Sequence, residues 1–101
     1  MARRLFVVED SFFIKGRGIV PVPGIIPQGG ERFQVGDPIS LIRPDGSTLA
    51  WHIGGLEMIH AAVPRHDVVI LLTGLDKEQV PIGTEVWSVD HAEPRYDLGG
   101  Q

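Results

Sequence analysis

Apolar residues fall along this chain in short bursts, and glycine, proline or acid ends each burst before a helical period can build up. Leu5-Phe6-Val7-Val8 is the first burst, and the pair Glu9-Asp10 interrupts it. Phe12-Phe13-Ile14 and Ile19-Val20 follow, with Gly16-Arg17-Gly18 between them as a tight reversal, so residues 11–15 and 18–22 read as a β-turn-β unit behind a first strand at 3–8. Pro21 and Pro23 donate nothing to a ladder, which places the 18–22 strand at an edge or ends it early. The alternation from Ile39 to Arg43 gives one apolar wall, and Pro44-Asp45-Gly46-Ser47 is a turn signal that makes a hairpin from 39 to about 58. Gly54-Gly55 marks a bulge or sharp bend in its return strand. Residues 59–67 read as a connection. Val68-Val69-Ile70-Leu71-Leu72 is an unbroken apolar run, the pattern of a strand covered on both faces at the centre of the core. Residues 75–81 hold one helical turn at most, 84–89 make a last strand, and 90–101 lack periodicity and read as a flexible C-terminal tail.

Seven short strands with turn signals between them predict an all-β fold, a closed or nearly closed antiparallel barrel of about six to seven strands over residues 1–89. A sandwich is the alternative. The glycine pairs at 29–30 and 54–55 favour the barrel, because they offer places for strands to bend between sheets.

Composition narrows the function more than it names it. A chain of 101 residues is one domain that buries roughly two-thirds of its unfolded surface. It has no cysteine, so disulfides, thiolate nucleophiles and cysteine zinc sites are absent, and with no leader or membrane-length apolar run the expected location is the cytoplasm. A net charge of −4 opposes wholesale attraction to a phosphate backbone, so nucleic-acid contact must be local.

Catalytic signatures are missing. There is no P-loop and no G-x-G-x-x-G or G-x-S-x-G, so nucleotide hydrolysis is not expected, and with no GTP-binding motif no cofactor is expected. His52, His60 and His66 stand at spacings that match no metal signature, and neither a metal site nor a catalytic residue is assigned. Glu9 and Asp10 are neighbours in a strand and point to opposite faces, which argues against a proton-sharing dyad. Ile25 and Ile26 sit in the irregular segment 22–32 beside Arg32. They are expected to tuck onto the body; otherwise they form an apolar contact for a protein partner or for a second copy of the chain.

Phe6-Val7-Val8-Glu9-Asp10-Ser11-Phe12-Phe13-Ile14-Lys15-Gly16-Arg17-Gly18 resembles the V-E-D-x-F-x-I-x-G-R-G run that opens the second domain of elongation factor Tu and related translational GTPases. Val35-Gly36-Asp37, Gly55-Leu56-Glu57-Met58 and the stretch from Leu71-Leu72-Thr73-Gly74 to Val80-Pro81-Ile82-Gly83 resemble later motifs of that domain, in the same order. The resemblance implies a translation-protein β-barrel. It also implies a binding role without catalysis, in which Glu9, Asp10 and Phe12 face the aminoacyl group of a transfer RNA and Glu57 its terminal ribose. Transfer RNA, the ribosome or a translation factor is then the expected partner. Against this stands the plainer expectation that Phe12 is a core residue and the acids are solvated.

Overall fold

The computed structural model describes residues 2–57 and 67–90. The 59–66 part of the expected 59–67 connection, with His60 and His66, Met58, and the 91–101 part of the tail lie outside the described residues. The described residues form eight strands: β1 (Arg4–Val7), β2 (Asp10–Ile14), β3 (Gly18–Val22), β4 (Pro38–Ile42), β5 (Thr48–His52), β6 (Gly55–Glu57), β7 (Val69–Thr73) and β8 (Glu85–Ser88). They form two four-stranded antiparallel sheets, ordered β1-β8-β4-β5 and β2-β3-β7-β6. The chain is therefore all-β, as its pattern predicts. Among the described residues no sheet closes on itself into a barrel. Among the described residues no helix is long and apolar enough to cross a membrane.

The eighth strand arises because the return strand expected over 48–58 breaks at Ile53-Gly54, the position marked by the glycine pair. Before the break, the Ile53 amide donates to the Asp37 carbonyl beside the first sheet; after it, the Gly54 amide donates to Leu71 in the second. A matching corner lies at Val8-Glu9. There the Val8 amide donates to Thr84 and the Glu9 amide to Val22, so the acids that end the first apolar run mark the point where the chain changes sheets. Gly29-Gly30, expected as a bending place for strands, instead sits in a turn closed by the Glu31 amide donating to Gln28.

One core fills the space between the sheets. Phe6, Leu41 and Val86 from the first and Ile19, Ile70 and Leu72 from the second all belong to it, with Val8 and Ile53 supplied by the two corners. The run at 68–72 behaves as its unbroken pattern predicts: Ile70 and Leu72 face this core, while Val69 and Leu71 face a smaller outer cluster with Val20. β3 departs from expectation. It is an interior strand despite Pro21, and its ladder with β7 runs only from Gly18 to Ile19, so pairing stops before the proline would have to donate.

Candidate functional site

The turn Gly16-Arg17-Gly18 sets the register of β2 on β3, pairing Asp10 with Val22, Phe12 with Val20 and Ile14 with Gly18. Because side chains alternate across a sheet, Asp10, Phe12 and Ile14 share the outer face of the second sheet with Val20 and Val22. Phe12 is 56% exposed, which corrects the expectation that it is core. The alternation explains it: Ser11 takes the covered position, and Phe12 is turned out over Val20.

β6 carries the other half of the face. It pairs Glu57 with Val69 and Gly55 with Leu71, which places Glu57 on the same side as the outer cluster. Gly55 has no side chain, and a Cβ there would lie 3.3 Å from Leu71 and 3.4 Å from the Glu57 carboxylate, so that carboxylate lies over the Gly55 backbone. Arg17 reaches it from the β2–β3 turn, its Nη2 donating to Glu57 Oε2 at 3.0 Å. The result is an apolar floor of Val20, Val69 and Leu71 with Ile14 and Val22 packed at its margin. Phe12 rises beside it, Asp10 stands on one outer strand, and the Arg17–Glu57 pair holds the other, about 14 Å away across three strand spacings.

Of the four residues expected to act together, then, Asp10, Phe12 and Glu57 lie on one face, and Glu9 lies at the corner before β2 with its amide bonded to Val22. Arg17 and the aliphatic floor were not anticipated as site residues. The hairpin register carried the signal, because a turn closed at Gly16-Arg17-Gly18 puts Phe12 opposite Val20. Asp10 also accepts from the Ser11 amide at 2.8 Å, which fixes its carboxylate close to the strand.

The segment 22–32 divides. Ile25 is fully buried in the core and bridges Val68, so it is no contact surface, whereas Ile26 is 67% exposed. Arg3 fastens this segment: its guanidinium meets both Glu31 oxygens, at 2.7 and 2.9 Å, and donates to the Ile26 carbonyl at 3.1 Å. Arg32 is exposed on the rim of an open groove of about 370 Å³ floored by Ile39 and Ile53. Arg3, together with the Gln28 amide, holds the Glu31 carboxyl down at about 2 from an ordinary 4.5. A depressed carboxylate contributes stability above its unfolded pKa and loses it as pH falls through the folded value. Acid titration from about pH 4.5 to about 2 is therefore expected to loosen the segment. The wild type should lose thermal stability over that window more steeply than Arg3→Ala, in which Glu31 no longer has its partner.

Among the described residues no group of three or more metal-ligating side chains exists. His52 is exposed in β5 and stacks on Trp51 with ring centroids 5.6 Å apart, while Glu57 belongs to the other sheet. Comparison with known proteins finds no matching family model, no matching curated protein and no matching solved structure.

Proposed function

We propose that this chain is a non-catalytic binding module of the translation apparatus, a cytoplasmic relative of the second domain of elongation factor Tu, and that the outer face of the second sheet takes the aminoacylated 3′ end of a transfer RNA. The observation that carries the reading is the gathering of Asp10, Phe12 and Glu57 around one apolar floor, from strands far apart in sequence. An unstacked terminal base needs an aromatic or aliphatic plane, which Phe12 and the floor supply, and a ribose diol needs an acceptor, which Glu57 supplies. Arg17 orients that carboxylate and adds one cation to an otherwise acidic surface.

The strand pairing supports the fold half of the same proposal. β1 with β2, and β5 with β6, act as two long bent strands shared between the sheets, so pairing passes from β1 through β8, β4 and β5–β6 to β7, β3 and β2. We read this circuit as a flattened six-stranded barrel of the translation-protein type.

An aminoacylated acceptor-stem RNA with a single-stranded 3′ end, followed by fluorescence anisotropy, tests the function. Binding is expected to change little with salt, since few phosphates can be neutralised by a chain of net charge −4. Base stacking is worth ~1–3 kcal/mol, so Phe12→Ala should weaken binding roughly tenfold or more, and Glu57→Gln should abolish the preference for an intact terminal ribose. RNA that fails to bind, or binds Phe12→Ala equally well, removes the proposal.

A further inference from the structure

Each sheet ends in two strands with one neighbour, and three of these four edges are protected. Arg3 straps the 26–31 segment beside β1. Past β5, the Trp51 indole donates to the Thr73 carbonyl at 3.0 Å, and the Gly54 amide donates to Leu71. β6 is only three residues long and ends on a glutamate held by Arg17. β2 is different. It is five residues long, pairs with β3 alone, and contains no proline. Its two central side chains, Phe12 and Phe13, are each 56% exposed on opposite faces of the strand. Edges that carry exposed apolar side chains recruit another strand.

The sequence of this edge is complementary to itself. A two-fold axis perpendicular to the sheet keeps outer faces together, so antiparallel pairing of β2 with its own copy must match residues of equal parity. Centred on Phe12, that pairing sets Phe12 against Phe12, Ser11 against Phe13, Asp10 against Ile14 and Glu9 against Lys15. Glu9 and Lys15 are both exposed, and no ion pair engages either within the described residues. Moving the centre to Ser11 or Phe13 removes the acid–lysine match and sets Phe12 against Asp10 or Ile14. Open hollows of about 370 and 410 Å³ flank Phe13, lined further by residues of 16–18 and 73–78, and leave room beside the strand for an incoming side chain.

We infer that β2 is a homodimerisation strand: two copies of the chain join edge to edge in the register centred on Phe12, forming one eight-stranded sheet with a Glu9–Lys15 ion pair at each end of the junction. The small area of such a contact makes a weak, concentration-dependent dimer. This goes beyond the RNA-binding proposal and needs no nucleic acid in its test.

Sedimentation velocity over a wide range of protein concentration should show monomer and dimer in exchange. Lys15→Glu turns both terminal attractions into repulsions and should raise the dimer dissociation constant about tenfold or more, whereas Glu9→Lys combined with Lys15→Glu should bring it back. Both positions are exposed, so neither change threatens the fold. Because the chain has no cysteine, Phe12→Cys gives a second readout: copies paired on residue 12 oxidise to an intermolecular disulfide, and copies carrying Phe13→Cys, offset by two residues along the strand, do not. A monomer at every concentration, a dimer indifferent to the charge exchange, or cross-linking at residue 13 in preference to 12 would overturn the inference.

Discussion

Gly18→Ala is expected to lower the melting temperature by more than about 12 °C. Two effects act together. Gly18 has φ of 149°, a conformation that side-chain-bearing residues rarely adopt, and the strain costs about 1–3 kcal/mol. The added methyl would also overlap the Leu72 carbonyl oxygen and lie 2.9 Å from the Thr73 Cα, both of them backbone atoms of the adjoining strand. A flexible side chain could move aside; a strand inside a ladder cannot, and forced overpacking costs about 1–3 kcal/mol more. Gly16, two residues earlier in the same turn, has open space around its missing Cβ and serves as the control for strain alone. Thermal denaturation of Gly16→Ala should show a drop no more than about half as large. Equal losses at the two positions would mean that the close approach of β3 to β7 contributes nothing.

Truncating the central strand should produce the second large effect, and one that depends on the face. Ile70 is fully buried in the core between the sheets, so Ile70→Ala is expected to cost about 3–5 kcal/mol by chemical denaturation, through lost transfer energy and the cavity left behind. Leu71, one residue later, is almost as buried but packs into the small outer cluster with Val20 and Val69, where neighbouring side chains can settle into the space. Leu71→Ala should cost about 2 kcal/mol, and it should also weaken acceptor-end RNA binding, which Ile70→Ala at a temperature where it remains folded should leave unchanged. The pair therefore separates the residues that hold the fold from those that form the proposed floor.

Much of this arrangement is legible in the sequence, because strand and turn chemistry is local. The double-sided burial of β7 follows from its unbroken apolar run, the hairpin at 44–47 from its proline and Asp-Gly, and the corner at Ile53-Gly54 from a glycine pair inside a strand pattern. What periodicity leaves open is which of two adjacent apolar residues faces in. Ile25 and Ile26 have equal claims in the sequence, and a bridge to Val68 decides for Ile25. Phe12 reads as core by type, and only the β3 register turns it outward. Long-range charge pairing is equally hidden. Arg3 meets Glu31 across 28 residues and Arg17 meets Glu57 across 40, and no local spacing rule connects such positions. The corner at Val8-Glu9 coincides with the acid pair, but an acid pair alone does not distinguish a strand that ends from one that turns into another sheet.

The placement of β8 between β1 and β4 bears on the order of assembly. The first sheet takes its middle strand from near the end of the described chain, and Arg3 and Ser88, 85 residues apart, are joined by hydrogen bonds in both directions. During synthesis the hairpin of β4 and β5 can form early, but β1 has nothing to pair with until residue 88 has left the ribosome. Nascent protein thus leaves the core side of β1 uncovered until β8 is available, and closure-dominated topologies of this sort fold on the slow side of the range for their size.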